Sequence, residues 1–120
     1  MTKILAVDDS ASMRQMMVFT LESAGYEVVE AADGQRALDI AKCGLFDLIL
    51  SDVDMPVMDG IALVRELRQL VAYKYTPILM LATETSGEKR MSGKRAGVTG
   101  WVVKPFNPDK LLSTIKVVIS

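Results

Sequence analysis

Four charged side chains stand where short apolar runs stop. Asp8 and Asp9 follow residues 3–7, Asp52 follows residues 46–50, and Lys104 follows residues 101–103. Each alone has an ordinary structural reading, since acids cap helices and open turns, and Ser10 and Ser12 directly after the first pair fit a helix start. Brought together they fit a more specific chemistry. Three carboxylates converging on one crevice repel one another and raise each other's pKa unless a cation sits among them. Oxygen-only ligands with positions left for water suit Mg²⁺, which is usually held by one or two carboxylates plus a phosphate. A carboxylate beside that ion can act as a nucleophile toward phosphorus, giving an aspartyl phosphate. The metal and a lysine would neutralise the phosphoryl oxygens. The chain has no histidine, which excludes His-based metal sites, Ser-His-Asp and Cys-His catalysis, and the phosphohistidine half of a phosphorelay.

The elements that would position these groups follow from periodicity. Apolar runs at residues 3–7, 27–30, 46–50, 77–81 and 101–103 each end in turn or acidic residues and lead into a helical pattern. The first, third and fourth are apolar on both faces, as strands inside a parallel sheet are, whereas Glu27-Val28-Val29-Glu30 reads as an edge. Met13, Met16, Met17, Thr20, Leu21 and Ala24 recur at helical spacing, stopped by Gly25. A second helix follows Asp33-Gly34 and closes at Gly44. Ile61, Val64, Leu67, Leu70 and Val71 mark a third, and Leu111 to Ile119 a last one, entered through Asn107-Pro108. Residues 86–96 are polar, carry two glycines and offer little beyond Met91 and Ala96 to bury, so a helix there would be the loosest. Five strands alternating with five helices read as one α/β domain over residues 1–120, a doubly wound (βα)5 unit. Right-handed crossovers put helices on both faces and leave a crevice outside the carboxyl ends of the strands.

Length and composition agree with one globular domain: 120 residues, half of them apolar. With 14 Lys plus Arg against 15 Asp plus Glu and no basic run, a sequence-independent grip on nucleic acid phosphates is not expected. The longest uninterrupted apolar run, residues 78–82, falls far short of the roughly 18 needed to span a bilayer. Asp8 and Asp9 interrupt the amino-terminal run before a signal-peptide core could form. A lone Cys43 suits a reducing compartment, so a cytoplasmic location is expected. Cys43 reads as packing, the eight methionines mostly as core stripes, and Lys89, Arg90, Lys94 and Arg95 as a solvated face.

Asp8-Asp9-Ser10, Asp52 with Met55-Pro56 and Met58-Asp59-Gly60 after it, and Gly100-Trp101-Val102-Val103-Lys104-Pro105-Phe106 together resemble the receiver domain of two-component response regulators. The resemblance covers the whole chain. Within the family, residues 4–17 and 97–106 are similar to the stand-alone chemotaxis receivers of the CheY type. The likeness implies strand order 2-1-3-4-5 and makes Asp52 the phosphoacceptor. It places Mg²⁺ on Asp9, Asp52 and the backbone carbonyl of Asp54, with Asp8 acting mainly through metal-bound water. It also implies that Lys104 pairs with the phosphoryl group ahead of a cis bond to Pro105, and that Trp101 moves between exposed and buried positions. The implied partner is a histidine kinase of the chemotaxis type. The implied output is phosphorylation-dependent protein binding by a monomer, with the flagellar motor switch as one target.

The chain departs from the family pattern at Ala82, where the end of the fourth strand usually carries Thr or Ser. Alternation along a strand turns the neighbouring Thr83 to the opposite face, so it is not expected to replace the hydroxyl. A hydrogen bond to a charged group is worth roughly 1.5–3 kcal/mol, whereas a nearly complete two-state shift needs about 5.5 kcal/mol. Phosphorylation should survive this loss while the switch weakens. Asp54 and Glu84 correspond to family positions that flank the phosphoryl group and tune its hydrolysis. Two other readings compete: a phosphate sink or non-motor binding module with a weakened switch, and a phosphatase built on Asp52-Val53-Asp54. The latter motif generally follows a first strand in longer chains; here it follows the third, and the expectation is a phosphoacceptor rather than an enzyme.

Overall fold

Lys3–Val7 (β1), Glu27–Ala31 (β2), Leu48–Asp52 (β3), Ile78–Ala82 (β4) and Gly100–Val103 (β5) pair in parallel in the order β2-β1-β3-β4-β5. The computed structural model describes residues 1–83 and 87–119. Between the strands run α1 (Ala11–Ser23), α2 (Gly34–Cys43), α3 (Gly60–Gln69) and α4 (Gly87–Ala96), with α5 (Pro108–Ile119) at the end. The register sets Ile4 beside both Val28 and Leu48, Leu50 beside Leu79, and Met80 beside Trp101. Strand alternation then divides the core. Ile4, Ala6, Leu50 and Leu81 pack toward Met17 and Leu21 of α1 and Leu111 and Ile115 of α5. Leu5, Val7, Ile49 and Met80 pack toward Leu38 of α2 and Leu63, Val64 and Leu67 of α3. This is why the central strands read as apolar on both faces and β2, at the edge, does not.

Local sequence starts α1, α2 and α3 as the cap rules require. Ser10, Asp33 and Asp59 are extended N-caps whose side chains accept the backbone N–H of Met13, Arg36 and Ala62. Gly25, at φ +93°, closes α1 in the left-handed conformation.

Several boundaries differ from the sequence reading. The third strand runs from Leu48 to Asp52, two residues beyond the apolar run at 46–50, because Ser51 and Asp52 continue the ladder against Val7 and Leu81 although both are polar. Phe46 and Asp47 instead tie the entry to β1, with the backbone N–H of Asp47 on the Lys3 carbonyl at 2.8 Å. The fourth strand likewise runs past Leu81 to Ala82. The third helix ends at Gln69: Leu70 turns to ψ 129°, and Val71 projects 93% exposed rather than lying on the helix stripe. Met16 and Met91 are mostly exposed, so only part of the methionine set is core.

The buried side chain after α3 is Tyr73, in a short 3-10 turn (Val71–Tyr73). Its hydroxyl hydrogen is shared between the carbonyls of Ala41 and Gly44, 2.6 and 2.7 Å away, which satisfies acceptors left over at the end of α2. Arg68 does the same for a second group of carbonyls. Its guanidinium donates to Tyr73 and Thr76 at 2.7 and 2.6 Å and, through Nη2, to Gly97 at 2.8 Å.

Removing the Tyr73 hydroxyl leaves two acceptors without this donor while keeping the ring in the core. Tyr73→Phe is expected to cost about 1–2 kcal/mol, a fall of several degrees in the thermal midpoint. Differential scanning calorimetry checks it; an unchanged midpoint would show that water caps α2 equally well.

Candidate functional site

Parallel strands all point their carboxyl ends at one edge, and there β1, β3 and β5 deliver Asp8, Asp52 and Lys104. Asp8 is fully buried and Asp52 is 6% exposed, whereas Asp9 projects to solvent. One carboxylate oxygen from each of Asp8, Asp9 and Asp52 lies within 4.8 Å of the others. Lys104 Nζ sits 2.9 Å from Asp52 Oδ1 and 3.3 Å from Asp8 Oδ2. The Asp8 contact is an ion pair without hydrogen-bond alignment, and Asp8 Oδ2 has no hydrogen-bond partner although it is buried. Its other oxygen accepts the backbone N–H of Ser10 at 2.9 Å.

Burial pushes the Asp52 carboxyl above the ordinary carboxylate range; the hydrogen bond and charge of Lys104 oppose the shift without cancelling it. Burial also works against the Lys104 ammonium, but Asp52 and Asp8 outweigh it and hold the lysine above its ordinary pKa. Among the described residues, the Lys104 ammonium pairs with Asp8 and Asp52, and Asp9 adds a third carboxylate to the cluster. A buried carboxylate oxygen lacking a donor, in an all-oxygen cluster, fits a hard divalent cation such as Mg²⁺.

The backbone brings these groups together by close approach. The N–H of Gly60 reaches the Val53 carbonyl at 2.8 Å, and any side chain at Gly60 would collide with the Asp52 carbonyl. The loop between β3 and α3, which carries Asp54, Met55 and Pro56, is thus folded back onto the strand end. Its tip, Val57, is a β-branched residue at φ +70°, a conformation costing of order 1–3 kcal/mol. Lys104 is followed by a cis peptide bond to Pro105. The Lys104 backbone N–H bonds the Ala82 carbonyl at 2.8 Å, and Phe106 is buried beside the α1 and α5 core.

Ala82 pairs with Val103, and its methyl shares a face with Met80 and Trp101. A hydroxyl at this position would lie on the face shared with Trp101. Thr83 falls beyond the strand and is exposed. Trp101 is half-buried; its ring fills the space left by the missing side chain of Gly93, and the Arg90 guanidinium lies 5.7 Å from the ring centroid. Arg90 is therefore more than part of a solvated face. Asp54 is exposed in the loop, and Glu84 lies outside the described residues.

All the strand-end residues singled out in the sequence converge here. The sequence reading passed over Gly93, whose lack of a side chain matters only against a ring eight residues away, and Arg14, whose Nη1 bonds the Asp8 carbonyl at 2.7 Å. A basic residue in the first turns of a helix carries no signal of that contact.

Residues 4–116 match the response regulator receiver domain family. The chain is 40% identical over 110 residues to the chemotaxis protein CheY-3 of Vibrio cholerae, covering 91% of this chain and 85% of that protein. A solved structure of Vibrio cholerae CheY4 superposes with a TM-score of 0.95 at 58% identity, covering 98% of both chains. The receiver domain of a sensor histidine kinase from Pseudomonas aeruginosa, solved with magnesium coordinated in its active site cleft, superposes with a TM-score of 0.92 at 30% identity, covering 98% of this chain and 97% of that one. The chain spans about half (48%) of the length of the transcriptional regulators it also matches.

The direction of the Asp52 shift gives a stability test. A carboxyl whose folded-state pKa is raised destabilises the fold where it is ionised, and this penalty fades as pH falls through that raised pKa. Without metal at neutral pH, Asp52→Asn should therefore raise the thermal midpoint. The gain should vanish in acid, and in Mg²⁺ the variant should gain less than the wild type. A variant less stable than the wild type at neutral pH without metal would mean that the Lys104 pair outweighs burial.

Proposed function

The chain belongs to the response regulator receiver family of two-component signalling, and from that premise we propose that Asp52 is the phosphoacceptor of a Mg²⁺-dependent switch. The observation that carries this reading is Asp52 at the end of a buried strand, 2.9 Å from Lys104 and within ligand distance of Asp8 and Asp9. An Asp52 carboxylate oxygen attacks phosphorus of a kinase phosphohistidine, the P–N bond breaks, and the electron pair leaves on the imidazole. Lys104 moves from carboxylate pairing to a phosphoryl oxygen. Asp8 and Asp9, with Asp52 and the Asp54 carbonyl, would hold Mg²⁺, which neutralises the phosphoryl oxygens as charge builds on them. Water then cleaves the acyl phosphate, releasing inorganic phosphate and restoring the Asp52 carboxylate, so the reading is of a phosphoacceptor that loses its own phosphate rather than of an Asp-x-Asp phosphatase.

The likeness to CheY-3 and CheY4 supports a role in chemotaxis, with a chemotaxis-type histidine kinase as donor and protein binding as output. The target is the flagellar motor switch or another protein. Ala82 favours a second reading of that output, a phosphate sink or a non-motor binder, because the hydroxyl that would link the phosphoryl group to Trp101 is missing.

Incubation with acetyl phosphate and Mg²⁺ should add one phosphoryl group by intact mass. EDTA and Asp52→Asn should each prevent it. Uptake persisting in Asp52→Asn would place the acceptor elsewhere.

Trp101 is the only tryptophan, so its fluorescence reports the switch. Beryllofluoride, a phosphoryl mimic, should bind and shift Trp101 emission only partly, leaving both states populated, and Ala82→Thr should enlarge the shift. Complete burial of Trp101 in the wild type, with no change in Ala82→Thr, would show that another contact provides the coupling.

A further inference from the structure

We propose that Arg14 is a positioning residue for the Asp8 and Asp9 carboxylates, an inference that rests on the Mg²⁺-dependent phosphoacceptor reading of that site. Arg14 lies in the first turns of α1, and its Nη1 donates to the main-chain carbonyl of Asp8 at 2.7 Å. That carbonyl belongs to the peptide joining the two acids. Its orientation sets the angle between a buried carboxylate and an exposed one, because Asp9 has no strand behind it. The flanking backbone is held separately: the Asp8 N–H bonds the Ala31 carbonyl at 3.2 Å, and the Ser10 N–H bonds Asp8 Oδ1. Arg14 supplies the restraint on the linking peptide.

The guanidinium is itself oriented from β2. Its Nε donates to Glu30 Oε1 at 3.1 Å, so the planar fork spans Glu30 on the edge strand and the Asp8 carbonyl at the site. Glu30 is half exposed, and an exposed pair of this kind contributes little to stability. Its consequence is direction. The arrangement would otherwise be unfavourable, because a cation beside a metal site repels the metal. Glu30 offsets that charge while leaving Nη1 on the peptide.

Electrostatics and positioning predict opposite signs when Arg14 is neutralised. Loss of a nearby positive charge should tighten Mg²⁺ binding; loss of the restraint should weaken it. Arg14→Met keeps much of the apolar stem and removes both charge and donors. Calorimetric titration with Mg²⁺, well below each variant's thermal midpoint, should show binding about tenfold weaker than wild type, a size common for residues that orient metal ligands. Arg14→Lys, which keeps the charge without the fork, should fall between the two. Equal or tighter binding in Arg14→Met overturns the proposal, as does a lowered midpoint with unchanged affinity, which marks a purely structural contact. Where Arg14→Met does not fold, Arg14→Lys decides: weakened binding supports positioning and unchanged binding overturns it. Absence of Mg²⁺ binding in the wild type overturns the phosphoacceptor reading and this inference with it, an outcome distinct from loss in the variants alone.

Discussion

Three clustered carboxylates, two of them paired with the Lys104 ammonium, at the open edge of a parallel sheet are the constraint around which the described residues are organised. Asp8 and Asp52 are buried, so neither can shed its repulsion into water, and Lys104 reaches both. Burial still holds the Asp52 carboxyl above its ordinary range despite that lysine. Positive charge brought to the crevice by a ligand would offset that repulsion and so stabilise the fold on binding.

Holding such a cluster together requires a rigid frame, and much of the remaining structure supplies it. Central strands buried on both faces prevent the strand ends from moving apart. Gly60 lets the loop after β3 pass against the Asp52 carbonyl, Phe106 buries the turn after Lys104, and Arg14 ties the Asp8 carbonyl to the edge strand. At the opposite edge, Tyr73 and Arg68 satisfy carbonyls at the ends of α2 and α4 and in the connection entering β4. The strained backbone at Val57 lies beside the site rather than at this far edge.

Packing between the sheet and α4 runs along one face of β4 and β5. Ala82, Met80 and Trp101 share that face, and the Trp101 ring rests on Gly93 of α4, with Arg90 over it. A methyl at Ala82 can pack but cannot hydrogen-bond, unlike the hydroxyl of Thr or Ser. The Lys104 backbone N–H bonds the Ala82 carbonyl, which ties the strand end that carries the lysine to β4.

The alternation of apolar runs and caps was enough to determine five strands, five helices and the acids and lysine at the strand ends. Those properties are local: period, capping side chains and polar residues that interrupt a hydrophobic run. The receiver motifs added strand order. Strand limits escaped, because Ser51 and Asp52 join β3 through hydrogen bonds that apolarity does not register, and Val71 leaves the helix stripe because the chain must turn for Tyr73 to reach α2. Gly93 under Trp101, Arg14 on the Asp8 carbonyl and Arg68 on the carbonyls of Tyr73, Thr76 and Gly97 were decided only by the tertiary structure. Each depends on a backbone group or ring distant along the chain or made available only by a turn. A sequence records which donors exist, whereas folding determines which acceptors lie within 3 Å of them.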